Sequence, residues 1–218
     1  MADRRLLATI LAGLILVAAA VGLEQRRERA TAPAREGALA MHAEVREASL
    51  RFAPDVAEVD RAVVLGAIER ARPEARRLID EVDGLVDVYI KPTGAGTAGL
   101  MRRDGDRFRV ELDLGSVYRA LGRKGTDRLV LHELGHVVDA ALTPEELDER
   151  LDAMIPAGFG CDYGTSGACA PRRERFAETF AKWALGDIGV NALGLGYKVP
   201  PPSSLEDWGA SLVAGVNR

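Results

Sequence analysis

The stretch RLVLHELGHVVDA, residues 128–140, places a His-Glu-x-x-His motif inside a run of apolar residues. The chain has three histidines, and two of them, His132 and His136, stand four positions apart in this motif. The apolar positions around them follow a helical spacing, which predicts a buried helix over 127–142 with Thr126 as its N-cap. Buried polar groups cost free energy unless they have partners. A functional site therefore explains the motif better than an ordinary core helix does.

The spacing of the motif suits a metal ion. Residues i and i+4 of a helix lie one turn apart on the same face, so His132 and His136 can direct both imidazoles at one cation. Glu133 is rotated from that face by about 100°. It can reach a water molecule in the open coordination position and accept its proton. The motif predicts zinc bound by the two histidines, with Glu133 as the general base.

A catalytic zinc needs a third protein ligand. The extended motif HExxHxxGxxH is absent, because Asp139 and Leu142 occupy the positions of its glycine and its last histidine. The best candidates are Glu174 and Glu178, which share a helix face in the later segment ERFAE and border its apolar stripe. The alternative for Glu178 is a solvated ion pair with Lys182 at i, i+4.

These two segments carry a resemblance to a known family. HELGH followed by a distant ERFAE resembles the pattern of gluzincin zinc metallopeptidases, in which a helix with ExxAE follows HExxH. HELGHVVD and ERFAETFAKW are similar in particular to the catalytic domain of anthrax lethal factor and its relatives, including the Pro-Pro endopeptidases. The resemblance covers roughly residues 85–186, and the segments on either side lie outside it.

The resemblance implies a role for each polar residue of the two segments. By it, His132, His136 and Glu174 are the zinc ligands, and Glu133 is the general base. Glu178 orients a ligand histidine, a kind of support that is typically worth about 10- to 100-fold in metal affinity or activity.

The family also places a tyrosine before the ligand glutamate, where its hydroxyl stabilises the tetrahedral oxyanion. The nearest tyrosine here is Tyr163, eleven residues before Glu174 and further away than the family places it. We expect either that the intervening loop holds Tyr163 near the metal or that this tyrosine lies on a surface loop.

The hydrophobic pattern elsewhere predicts strands as well as helices. Alternating apolar residues predict strands at 85–91 and within 104–114, and a helix beginning at a proline is predicted over 171–186. With the resemblance, we expect an α+β, zincin-like fold in which helices pack on a small, mainly antiparallel sheet. HExxH would lie on a central buried helix, and an edge strand within 105–114 could accept substrate as an added strand.

Changes in composition along the chain divide it into five segments. Charged residues and a proline after the N-terminal apolar run are typical of a linker. The predicted segments are a leader at 1–23, a linker at 24–36, a helical N-terminal segment at 37–84, a zincin-like catalytic domain at 85–186, and a C-terminal tail with a short helix at 187–218.

The leader predicts export. MADRR is followed by LLATILAGLILVAAAVGL, eighteen apolar or small residues without interruption. That length suffices for a membrane span, while AAA at 18–20 offers a cleavage site for a signal peptide. We expect the chain to be exported and either secreted after cleavage or anchored in the membrane by this segment.

The two cysteines, Cys161 and Cys169, bracket the sequence DYGTSGA. In an exported protein a close pair in such a loop favours a disulfide over two free thiols. The CxxC spacing of zinc sites is absent. The pair therefore predicts a short disulfide-closed loop, which also agrees with the leader.

Composition narrows the class of partner. Hydrophobic residues make up 47% and charged residues 28% of the chain, as in an ordinary globular protein. The formal net charge is -4 and basic blocks are lacking, which argues against nucleic acid. We expect a zinc-dependent endopeptidase acting on protein or peptide substrates. The alternatives are a catalytically inactive zincin-like module that binds or scaffolds at the membrane, and a structural metal site, for which a fourth protein ligand would be required.

Overall fold

A computed structural model describes residues 50–82, 84–94, 97–156, 170–187 and 199–217. These residues form six helices and one four-stranded sheet, which confirms the α+β class. The strands are β1 (Arg51–Phe52), β2 (Val86–Ile90), β3 (Gly99–Asp104) and β4 (Arg107–Leu112). The helices are α1 (Glu58–Arg70), α2 (Pro73–Glu81), α3 (Leu114–Leu142), α4 (Glu145–Ala153), α5 (Arg172–Leu185) and α6 (Leu205–Val216).

The predicted leader and linker, residues 1–36, lie outside the described residues. Within the described ranges, no helix has both the length and the apolar character needed to cross a membrane.

The sheet has the strand order β1-β2-β4-β3. β1 pairs with β2 and β2 pairs with β4 in parallel, while only β3 and β4 are antiparallel. The prediction of a mainly antiparallel sheet was therefore wrong. β1 was also unexpected, because it lies in a segment predicted to be helical.

A tight hairpin joins β3 to β4 and makes this pair of strands antiparallel. Asp104 pairs with Arg107, so only Gly105 and Asp106 form the turn, and Gly105 has a positive φ of 65°. The hairpin places β3 on one side of β4, and β2 lies on the other side and runs parallel to β4. The edge strands of the sheet are thus β1 and β3 while β4 is internal, and the prediction of an edge strand within 105–114 was wrong.

One face of the sheet packs on α3. Phe108, Val110 and Leu112 of β4 are buried in the same cluster as Leu131 and Leu134 of α3. The alternate residues of β4 point to the opposite face, as the period of two in a strand requires. Helix α3 thereby lies against the sheet along the part that carries HELGH.

Helix α3 is interrupted at one residue. Gly122 has φ 63° and ψ -161°, which is not helical, so the segment with the motif begins just after it. Thr126 lies inside that segment and its hydroxyl donates to the carbonyl of Arg123 at 2.8 Å. The prediction that Thr126 caps the motif helix was wrong, because the helical segment already begins with the residues before Thr126.

The helices before and after the predicted catalytic segment share its core. Residues of α1, α2 and α6 belong to the same buried cluster as α3 and α5. Arg70 of α1 also binds both carboxylate oxygens of Asp127 in α3, at 2.8 and 2.6 Å. The described residues all belong to one compact unit.

Candidate metal centre

Helices α3 and α5 approach each other most closely at the glycine of HELGH. A Cβ atom at Gly135 would lie 3.1 Å from the Cα of Ala177 and 3.1 Å from Cδ1 of Phe180. Few Cβ contacts in proteins are that short, so a larger residue would push the helices apart. The glycine thus lets HELGH and ERFAE face each other across a narrow gap.

Across this gap, two histidines and one glutamate converge. Oε2 of Glu174 lies 3.2 Å from Nε2 of His132 and 3.5 Å from Nε2 of His136. The candidate ligand atoms of the three residues all lie within 4.8 Å of one another. Among the described residues, this is the one group of histidine, cysteine or acidic side chains with the spacing to hold a metal ion.

The protonation states of this group suit a cation. Burial lowers the pKa of His132, which favours the neutral imidazole that metals bind. Burial opposes ionisation of Glu174, but hydrogen bonds from His132 and His136 outweigh it and hold the pKa of Glu174 far below its ordinary value. Two neutral imidazoles and one carboxylate are the donors of many catalytic zinc sites.

Glu178 lies behind the group, against the other nitrogen of His132. Its Oε2 atom is 3.3 Å from Nδ1 of His132, while Oε1 contacts the guanidinium of Arg128 and lies 3.4 Å from Nζ of Lys182. The pairing with Lys182 that was the alternative for Glu178 therefore exists, but both partners are buried rather than solvated. Glu178 thus holds the ring of His132 in one orientation.

The hydrogen-bonding requirements of the two ring nitrogens of His132 indicate whether a cation fits. A neutral imidazole carries one N–H, yet each nitrogen of His132 faces a carboxylate oxygen, which can only accept. One of the two contacts therefore lacks a proton. With the N–H donated to Glu178, a cation at Nε2 would supply the missing positive charge beside Glu174. The residues present fit a metal ion.

Six side chains form two facing rows of i, i+4 spacing. Arg128, His132 and His136 follow one another along α3, and Glu174, Glu178 and Lys182 along α5. His136 faces Glu174 while Arg128 faces Glu178, so the rows run in opposite directions. The sequence reading missed Arg128. Its position one turn before His132 on the same face was the available signal.

Glu133 lies beside the group rather than in it. Its side chain is buried, and burial together with the charge of Glu174 raises the pKa of Glu133 to about 8. A nearby cation would lower this pKa again, because positive charge favours the carboxylate. Glu133 is then able to take up and release a proton near neutral pH.

Gly99, at the start of edge strand β3, packs against Glu133. A Cβ atom there would lie within 2.7 Å of both Cγ and Cδ of Glu133. Sequence analysis did not single out Gly99. Nothing local marks Gly99, because its contact is with a side chain in a different element.

We expect Gly99→Ala to lower the activity of the site about 10- to 100-fold without loss of metal, since a displacement of about 1 Å in a catalytic group can cost that much. The methyl group would displace the carboxyl of Glu133, to which the three atoms nearest to it belong. Hydrolysis rate and metal content are the measurements. Gly115→Ala, at an exposed position of α3, is the matched control. Full activity in Gly99→Ala would show that Glu133 tolerates the shift.

The predicted oxyanion group and the predicted disulfide involve three residues. Tyr163, Cys161 and Cys169 lie outside the described residues, so the oxyanion role and the disulfide both stay predictions.

The comparisons with known proteins add no relative: no protein-family model, no curated protein and no solved structure matches the chain.

Proposed function

We propose that this chain is a zinc-dependent endopeptidase of the gluzincin type, with a zincin-like fold. The observation that carries the proposal is the convergence of His132, His136 and Glu174 from two helices, with Glu133 buried beside them. Three protein ligands leave a coordination position open, as catalytic zinc sites do, whereas structural sites are closed by four.

Zinc bound by these residues would polarise the scissile carbonyl and acidify a water molecule. In the proposed mechanism, Glu133 accepts the proton of the attacking water and later delivers it to the leaving amine. Glu178 keeps His132 oriented for binding, and Arg128 and Lys182 contact the other carboxylate oxygen of Glu178. Burial of the group strengthens each of these electrostatic contacts.

Edge strand β3 supports a peptide as the substrate. Among the described strands it pairs with β4 alone, so its other edge presents backbone groups to which an extended peptide can add. Gly99 at the start of β3 touches Glu133, so a peptide on this edge passes the general base. An extended substrate segment, rather than a small molecule, suits this arrangement.

Export completes the proposal. The leader at 1–23 and the cysteine pair Cys161 and Cys169 favour a protein that works outside the cytoplasm, secreted or anchored by its N-terminal segment. Its partners would be protein or peptide substrates, with the membrane as a further partner where the leader is retained.

The test is metal removal from the purified full chain. We expect about one zinc ion per chain, hydrolysis within a diverse peptide library detected by mass spectrometry, loss of hydrolysis on chelation, and its return when zinc is restored. Circular dichroism of the chelated protein controls for unfolding. A folded, zinc-loaded chain that cleaves no peptide or protein would contradict the endopeptidase.

A further inference from the structure

A cleft with an excess of positive charge lies at the β3–β4 hairpin. It has a volume of about 360 Å³ and is lined by Lys91, Arg102, Arg103, Asp104, Arg109 and Glu111. We call it the basic cleft. Four cationic and two anionic side chains leave a surplus of two positive charges, although the whole chain is acidic.

A single buried carboxylate organises the basic cleft. Oε1 of Glu111 lies 3.0 Å from Nζ of Lys91, 2.7 Å from Nε of Arg109 and 3.5 Å from Nη2 of Arg102. Burial opposes ionisation of Glu111, but the hydrogen bonds from Lys91 and Arg109 outweigh it and lower its pKa. One carboxylate cannot neutralise three cations, so it gathers them at one place.

The cations of the cleft remain open to a further anion. The side chains of Arg102 and Lys91 are 59% and 43% exposed, while Glu111 beneath them is buried. Arg103 is exposed too, and the guanidinium carbon of Arg109 lies 3.9 Å from the ring centre of Tyr89. The cleft thus presents three exposed cations, of which Arg102 and Lys91 contact the same buried carboxylate.

The basic cleft and the residue that packs against Glu133 belong to the same edge strand, β3, but lie on opposite faces of the sheet. Directly opposite residues of an antiparallel pair share a face, so Arg102 lies on the face of Arg109, while Gly99 lies on the face of Leu112 and α3. Arg102 follows Gly99 by three residues, or about 10 Å along the strand. A peptide added to β3 would therefore reach Arg102 about three residues away from the position beside Glu133.

We propose that the basic cleft binds an acidic side chain of the peptide substrate, about three residues from the scissile bond. The inference rests on the proposed function, since it names the substrate class of that site. A side-chain carboxylate can lie between Arg102 and Lys91. A polyanion such as nucleic acid fits less well, because Asp104 and Glu111 in the same cleft would repel its closely spaced phosphates.

Binding is measured separately from hydrolysis. The probes are fluorescent extended peptides that carry glutamate, glutamine or lysine at each position in turn, bound to the zinc-loaded full chain with Glu133→Gln. We expect glutamate near the position opposite Arg102 to tighten binding about 5- to 10-fold over glutamine, the effect of one partly exposed ion pair. The preference should weaken at high salt.

Variants of the cleft should change the preference without changing the metal site. Arg102→Gln should abolish the preference for glutamate, and Arg102→Glu should transfer it to lysine, with zinc content unchanged in both. Arg77→Glu, which makes the same charge change at an exposed position of α2, is the control and should leave the preference intact. Arg102→Gln keeps a polar, uncharged side chain beside Glu111, so this variant should disturb folding less than Arg102→Glu does.

The outcomes separate the two proposals. Hydrolysis by the wild type without any preference for acidic residues, or a preference that survives both Arg102 variants, overturns the inference and leaves the endopeptidase standing. Binding that depends on Arg102 without cleavage of any peptide keeps the acidic partner and overturns the endopeptidase. Equal binding of the glutamate and glutamine probes overturns the inference whether or not cleavage occurs.

Discussion

Replacing Glu133 by glutamine should abolish peptide hydrolysis while zinc stays bound. The amide keeps the size of the side chain but cannot accept the proton of the attacking water, so we expect a loss of about 100- to 10,000-fold in kcat. Zinc content should remain near that of the wild type, because Glu133 is not among the three converging ligands. The measurements are kcat on a cleaved peptide and zinc per chain.

Proton release offers a second readout for the same variant. Without a cation, the pKa of Glu133 is raised to about 8, so the group is mostly protonated at pH 7. A cation lowers this pKa, so zinc binding to the wild type should release a proton that Glu133→Gln cannot release. Calorimetry in buffers of different ionisation enthalpy measures the difference.

Undiminished hydrolysis in Glu133→Gln would place the general base elsewhere. A wild type that binds zinc and peptides but hydrolyses none would favour the inactive binding module.

Replacing Glu174 and Glu178 should separate a ligand from its support. Glu174→Ala removes one of three donors, and we expect zinc affinity to fall by more than about 100-fold. Glu178→Ala leaves all three donors and should weaken binding by about 10- to 100-fold, as for other groups that orient a ligand histidine. Competition with a chelator of known zinc affinity measures both. Glu146→Ala, at an exposed position of α4, is the matched control.

The two substitutions should also differ in their effect on the stability of the fold. Glu178 contacts the buried side chains of Arg128 and Lys182, so its loss removes the carboxylate that binds them and should cost about 3–5 kcal/mol of stability. Because unfolding alone could mimic zinc loss, Glu178→Gln, which retains the size and polarity of the side chain, is compared by thermal unfolding without metal. Zinc affinity unchanged in Glu174→Ala would contradict its assignment as a ligand.

What the sequence by itself determined is local. His132 and His136 on one helix face, and Glu174 and Glu178 on another, follow from the geometry of an α-helix, which sequence spacing specifies completely. The helix α5 ends at Gly186, as predicted, because glycine adopts the left-handed conformation found there, with φ 63°. Position along one element needs no knowledge of any other element.

What only the tertiary structure decided concerns contacts between elements. The hairpin of β3 and β4 has a local signal in the Asp-Gly pair at 104–105, but nothing local says that β2 pairs with β4 or that the pair is parallel. Arg128 becomes a neighbour of Glu178 only because α3 and α5 approach at Gly135, whereas Lys182 is a neighbour of Glu178 along α5 itself. Gly99 matters only because it packs against the carboxyl of Glu133. The basic cleft forms only because the strands lie in the order β2-β4-β3. Such contacts join residues that are distant in the chain, and their energies arise only when the fold brings them together.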